Sequence, residues 1–268
     1  MSRDDGRSPS ELRSIVVHEK AFGYAPGAVL LEVGNSKVLC SVTLQQGVPP
    51  FLRGKSGGWL TAEYNMLPTA TQVRTARQSS SASYNGRSVE ISRIIGRALR
   101  AIVNLKLLSD YTIIVDCDVL QADGGTRAAC ISAACLALMR AQETWLASKL
   151  LKTPFLVDQV AAVSVGVKDG VCILDPTYQE DSTGAADFNF ILARSGGIIE
   201  VQGGAEGAPI HWDLFAQAQQ LARDGVQQWF AVFDKECHNE QHGDLVSEKQ
   251  HLDQERVPLF SLKNRLQR

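Results

Sequence analysis

The chain has 268 residues, 27 Lys+Arg, 29 Asp+Glu and a formal net charge of −2. Apolar residues make up 44% and charged residues 21%, an ordinary globular balance that excludes a collagen-like, mucin-like or largely disordered protein. The length allows one large domain or two small ones with a sizeable core, and the near-neutral total does not by itself point to a polyanion.

Val29–Val33 and Lys37–Leu44 read as strands joined at Gly34-Asn35-Ser36, a hairpin signal. The Gly-, Pro- and Ser-rich stretch from Gly47 to Asn85 reads as loop. Ile91, Ile94, Ile95, Ala98, Leu99 and Ile102 recur at helical spacing and predict an amphipathic helix. Tyr111–Val119, rich in β-branched residues, predicts a strand. Ala128–Leu146 is apolar nearly all round for three turns and predicts a central buried helix. Val160–Val167 and Val171–Leu174 form a second hairpin across Lys168-Asp169-Gly170. Asp187–Ala193 and Gly197–Gln202 predict two more strands, and a helix from about Asp213 to Phe230 ends the core. Hairpins dominate, so the reading is an α+β fold with mixed or antiparallel sheets packed on helices, not a doubly wound one. Residues 1–233 read as one domain. Residues 234–268 read as a polar, flexible tail, because 234–256 are mostly charged, Gln or His; its end, Lys263 to Arg268, is basic.

Six cysteines stand at 40, 117, 130, 135, 172 and 237 without a Cys-x-x-Cys pair. Cys40, Cys117, Cys130 and Cys172 lie in apolar runs, which predicts buried reduced thiols and a reducing compartment. The first ten residues have no apolar run of a signal peptide, and the apolar stretch Ala128–Met139 is shorter than the ~18 residues of a membrane helix. The expectation is a cytoplasmic protein.

Charge is unevenly spread. Residues 53–100 hold eight Lys/Arg and two acids, Glu63 and Glu90, so the remainder of the chain is acidic. Seven of the eight cations are arginines, among them Arg53, Arg74, Arg77 and Arg87, and the planar fork of arginine suits phosphate. Arg93, Arg97 and Arg100 fall opposite the isoleucines of the predicted helix. One by one these are a solvated polar face; as a block they read as a polyanion-facing surface.

Two constellations carry chemistry. The first, DVLQADGGTR (118–127), runs from a strand into the buried helix. Its glycines let the backbone approach an anion, Thr126 offers a hydroxyl at a helix N-terminus, and Arg127 adds a cation. A plain capped strand–turn–helix junction is the alternative. Gly86-Arg87, opening the arginine helix, is a second such anion end. The other constellation is LDPTYQEDSTGAADFNF (174–190). Glu180, Asp181 and Asp187 cluster there, with Asn189 on the same face of the strand as Asp187. Such carboxylates hold a divalent metal or keep one member protonated as an acid, or else form an acidic surface loop. His238, His242 and His251 with Cys237 have metal-ligand chemistry but no rigid element beneath them. Trp59 and Tyr64 either stack on bases or pack in the core.

GVPPFLRG (47–54), GWLTAEYNMLP (58–68), GRSVEISRIIGRALR (86–100), DCDVLQADGGTR (116–127), EDSTGAADFN (180–189) and EVQGGAE (200–206) resemble the bacterial ribonuclease PH (RNase PH) family, in its order and spacing, over about residues 3–233. The resemblance implies a β-α-β RNase PH-type fold, like domain 2 of ribosomal protein S5. It also implies a phosphorolytic 3′→5′ exoribonuclease: inorganic phosphate attacks the terminal phosphodiester, a nucleoside diphosphate leaves, and the reaction reverses. It further implies tRNA precursors as substrates, Mg²⁺ as cofactor and a homohexamer of three dimers. By the same resemblance, phosphate is bound by Arg87, Gly125, Thr126 and Arg127, and Asp181 and Asp187 are catalytic and metal-binding. The basic RNA-binding loop includes Arg74 and Arg77, and Arg93 and Arg97 extend it. Two departures weaken that loop: QSSSASYN (78–85) lacks the family's basic residues, and Thr69 replaces an arginine.

Phosphorolysis brings two anions together, so positive charge must come first. Arg87, Arg127 and the Gly125-Thr126 amides supply it. Asp187 is the candidate general acid toward the leaving 3′-oxygen, and Asp181 holds Mg²⁺ or positions that acid. A hydrolytic metal nuclease would leave the arginines without a task. A non-enzymatic ring subunit that only binds RNA would not need both aspartates.

Overall fold

Burial alternates along β2 (Gly27–Val33) and β3 (Ser36–Gln46), so each strand turns one edge of side chains to the core and the other outward. They pair antiparallel across the expected hairpin. The computed structural model describes residues 3–19, 21–77 and 86–251, with side chains described as far as Cys237. A five-stranded sheet has the order β1-β2-β3-β5-β4, adding β1 (Ile15–Glu19), β4 (Trp59–Met66) and β5 (Tyr111–Gln121). All its pairings are antiparallel except β4–β5, which is parallel, so the sheet is mixed. A four-stranded antiparallel sheet has the order β7-β6-β8-β9: β6 (Val160–Lys168), β7 (Val171–Leu174), β8 (Ala186–Ala193) and β9 (Ile198–Ala205).

Helix α1 (Gly86–Ala101) buries Ile91, Ile94, Ile95, Ala98 and Leu99, the predicted stripe, against β4. Helix α2 (Thr126–Ala147) is buried on nearly every side because it packs between the sheets, touching β2 and β3 on one side and β6 on the other. Small residues make this possible: a side chain at Gly27 would collide with the Ala137 carbonyl on α2. Two mixed or antiparallel sheets around a helix layer give the expected α+β, RNase PH-type β-α-β arrangement. Between α2 and the first sheet lie the free, buried thiols of Cys40, Cys117 and Cys130; Cys40 and Cys117 are cross-strand partners with Sγ atoms 3.3 Å apart.

Four elements depart from the sequence reading. Trp59–Met66, inside the stretch read as loop, is strand β4, and β1 was not anticipated. A short helix, α3 (Tyr178–Ser182), stands in the carboxylate segment, held by a capping box between Thr177 and Glu180. Helix α4 (Trp212–His251) continues past the anticipated end at Phe230, so the polar stretch as far as His251 is helical. The chain divides into two units, 1–231 and 232–268. No helix among the described residues is long and apolar enough to cross a membrane.

Candidate active site

β5 delivers the chain at Gln121 to a turn that leads directly into α2. Gly124 and Gly125 take successive left-handed conformations, φ 76° and 63°. A Cβ at Gly124 would stand 2.6 Å from the Pro176 carbonyl, so a side chain there would push apart the two segments that meet at the site. Buried Arg13 locks the turn. It donates to the Asp123 carbonyl, to the Gly124 carbonyl at 3.3 Å, and to the Asp175 carboxylate at 2.6 and 2.9 Å. The Ser36 hydroxyl donates to the Gly124 carbonyl at 2.9 Å and accepts from the Asp123 amide at 2.9 Å.

Helix α2 therefore begins on a rigid base. Its first internal bond runs from the Ala129 N–H to the Gly125 carbonyl, so the amides of Thr126, Arg127 and Ala128 precede any helical acceptor. That is an anion-binding end. The Thr126 hydroxyl lies 3.2 Å from the Tyr64 hydroxyl. Burial pushes the Tyr64 phenol up to about 12, so it stays neutral. Tyr64 is 3% exposed and cannot stack on a base; it props the helix start. Trp59 is likewise a packing residue, edge-on to Phe51 with the Arg100 guanidinium 4.7 Å above its ring.

The opposite wall comes from α3 and β8. Asp181 sits on α3, and Asp187 on β8 accepts from Asn189 Nδ2 at 3.5 Å; Asn189 in turn accepts from the Ser164 hydroxyl at 2.8 Å. Asp181 reaches solvent, yet the cleft walls desolvate it in part. Burial raises its pKa, and the Asp187 charge raises it further, while Arg87 and Arg127 pull it down. Glu180, its chain neighbour, points the other way into a buried ion pair, accepting from Arg3 at 2.7 and 2.8 Å. It stays below the usual carboxylate range: burial opposes this, but the Arg3 hydrogen bond and charge outweigh it.

These walls enclose one cleft of about 820 Å³ lined by Arg87, Gly125, Thr126, Arg127, Asp181 and Asp187. All six phosphate and carboxylate candidates from the sequence are thus brought together. Ser164 and Glu206 also line it and were not anticipated: a lone serine in an apolar strand and a glutamate after a glycine pair carry no local signal. Arg13, which secures the glycine turn, was equally silent.

The remaining arginines lie elsewhere. Arg74 and Arg77 are exposed, on the segment that leaves the cleft rim at Thr71. Residues 78–85, which lack the expected basic residues, lie outside the described residues. Arg93 and Arg97 border a separate groove with Glu90 and Gln202. Arg97 does not present a free fork: Glu200 binds it at 2.6 and 2.7 Å. Arg100 is half-buried and donates to the Leu60 carbonyl at 3.0 Å, so it belongs to the packing and not to an open cationic face. The side chains of His238, His242 and His251 lie outside the described ones.

Comparison with known proteins agrees with the architecture. Residues 11–143 match domain 1 of the 3′ exoribonuclease family, RNase PH, and residues 158–225 match its domain 2. Among solved structures, an Archaeoglobus fulgidus exosome with RNA bound to its active site is similar at TM-score 0.73 and 20% identity, covering 87% of this chain and 92% of that one. Rice (Oryza sativa) Rrp46 is similar at TM-score 0.67 and 20% identity, covering 87% and 96%. An archaeal exosome core gives TM-score 0.67 and 22% identity, covering 85% and 90%. At these identities the structural likeness speaks for the fold. With both family domains matched in order along well over half the chain, the protein belongs to the RNase PH-type 3′ exoribonuclease family.

Proposed function

We propose that the protein is a phosphorolytic 3′→5′ exoribonuclease, of the bacterial RNase PH kind, that trims tRNA precursors. One observation carries the reading: a cationic anion cradle and a carboxylate pair face each other across one cleft. Arg87, Arg127 and the free amides at the start of α2 receive inorganic phosphate and offset its repulsion from the scissile phosphodiester. A phosphate oxygen attacks the terminal phosphorus, the P–O3′ bond breaks, and the departing 3′-oxygen takes a proton. The terminal nucleotide leaves as a nucleoside diphosphate; the reverse reaction adds it back and frees phosphate.

That proton comes from the aspartate pair. The sequence favours Asp187 as the acid; Asp181, whose pKa burial and the Asp187 charge raise, is the alternative source. Two carboxylates that repel each other also suit Mg²⁺, which accepts one or two carboxylates and fills its shell with water and phosphate oxygens. When bound there, Mg²⁺ supplies positive charge to the phosphate oxygens. Arg74, Arg77 and Arg93 would guide the RNA, and the working form would be a cytoplasmic homohexamer.

The test is to incubate the protein with 3′-tailed RNA with and without inorganic phosphate and identify the released nucleotide. Phosphate-dependent release of nucleoside diphosphates is the expected result. Monophosphates released equally fast without phosphate would establish the hydrolytic alternative, and no release in either buffer would leave an RNA-binding ring subunit.

A further inference from the structure

Arg127 reaches toward the cleft from the first turn of α2, where a flexible side chain must hold one pose to serve as a phosphate ligand. Its Nη1 donates to Gln202 Oε1 at 2.9 Å, while its buried Nε has no hydrogen-bond partner. Gln202 is itself fixed. Its Nε2 donates to Glu200 Oε1 at 3.0 Å, and Glu200 is gripped by both Nε and Nη2 of Arg97. Glu200 and Gln202 project from the same side of β9, two residues apart.

The polarity of this chain is forced. An ionised Glu200 can only accept, so the amide must turn its NH₂ to Glu200 and its oxygen to Arg127. The reverse orientation would set an NH₂ against the guanidinium. Arg97 neutralises Glu200, so the charge that anchors Gln202 does not draw Arg127 out of the cleft. A neutral acceptor on one edge of Arg127 leaves its full positive charge for an incoming anion.

We propose that Gln202 is a positioning residue for the phosphate-binding Arg127, held in its working orientation by the Arg97–Glu200 ion pair. The proposal rests on the phosphorolytic reading. It also gives Arg97, expected from the sequence to bind RNA, a task inside the protein.

The experiment measures phosphate KM, RNA KM and kcat for the phosphorolysis of a 3′-tailed RNA by Gln202→Ala and by Gln202→Met, which keeps the side-chain bulk without the amide. Both should raise phosphate KM about tenfold, the scale of one hydrogen bond to a charged group, with RNA KM and kcat within about threefold of the parent. Arg97→Ala, two steps further along the chain, should raise phosphate KM by less. In an Arg127→Ala background, Gln202→Ala should add nothing to the phosphate KM, because the residue it orients is gone. An unchanged phosphate KM in both Gln202 variants, while Arg127→Ala raises it, would overturn the positioning role and leave the phosphorolytic reading standing. So would an Arg97→Ala variant whose RNA KM rises and whose phosphate KM does not. If Arg127→Ala also left phosphate dependence untouched, the phosphorolytic reading would fall with it.

Discussion

The two walls of the cleft are built on opposite principles. The cationic wall is founded on backbone, two left-handed glycines and the first amides of α2, locked by Arg13 from behind and by Tyr64 beneath, with Arg87 and Arg127 adding the charge. The acidic wall is side chain: Asp181 on a one-turn helix and Asp187 on a strand, two like charges set close enough that one raises the pKa of the other. Backbone donors need no rotamer to be chosen and can be rigid before substrate arrives. Carboxylates must be able to gain and lose a proton, and the unfavourable electrostatics are concentrated on them. On the phosphorolytic function proposed above, phosphate binding would fall to the stable wall and proton transfer to the strained one.

The largest break of that contrast is Asp187→Asn. The change keeps the shape and the contact with Asn189 but removes a proton carrier and the charge that lifts Asp181. Turnover at saturating RNA and phosphate should fall by a factor on the order of 10² to 10⁴. RNA affinity should hold or tighten, since a negative charge beside the phosphodiester has gone. Turnover within a few-fold of the parent, in protein of unchanged oligomeric state, would take Asp187 out of the mechanism.

How much of each wall was legible in the sequence follows from the same contrast. Gly124-Gly125-Thr126-Arg127 announces itself because special backbone needs glycine, and the signal is local. The arginine helix was equally plain from its isoleucine spacing, and Asp181 and Asp187 stood out as clustered charge. What was lost is whatever depends on a distant partner. Strand β4 alternates Leu60, Ala62 and Tyr64 toward the core, but its parallel partner β5 lies far down the chain, and flanking Gly58 and Pro68 gave it the look of a loop. Arg13 is an unremarked basic residue until the fold sets it against Asp175. Arg97 read as a surface cation because Glu200 is more than a hundred positions away. The acidic cluster also hid a division: Glu180, beside Asp181, is a structural residue.

Glu180 gives the second prediction, on stability. Its carboxylate is 4% exposed and joins Arg3 in a buried pair, while also capping α3 through the Thr177 amide. Glu180→Ala strands the Arg3 guanidinium in the interior and should cost ~3 kcal/mol. For a unit of this size that is a fall in Tm of roughly 6–12 °C, read by thermal melts at neutral pH. Because Glu180 is held below the usual range, the stability it contributes is present above its unfolded pKa and is lost as the pH falls through its folded one. The gap between variant and parent should therefore narrow in acid. A melt unchanged at neutral pH would show that the pair contributes nothing.

The smallest effect sharpens the comparison most, because it should have the opposite sign one residue away. Asp181 is raised by burial and by the Asp187 charge, only partly offset by Arg87 and Arg127. A carboxyl whose folded pKa lies above its unfolded one binds more protons in the native state. Native stability then falls as pH rises from the unfolded value through the folded value, and stays reduced above it. Asp181→Asn removes the group that loses this energy. At neutral pH the variant should melt slightly above the parent, while its phosphorolysis is severely impaired. Below the carboxylate range the two melts should converge, since the parent is then protonated as well. Mg²⁺ gives a further arm: if the pair holds the cation, adding it should raise the melt of the parent more than that of Asp181→Asn, closing the gap from the other side. Stability given up at a site that needs the charge for chemistry is the pattern expected of a working residue. A variant that melts below the parent at neutral pH would mean that Asp181 is held by favourable contacts, as Glu180 is, and that the acidic wall is structural after all.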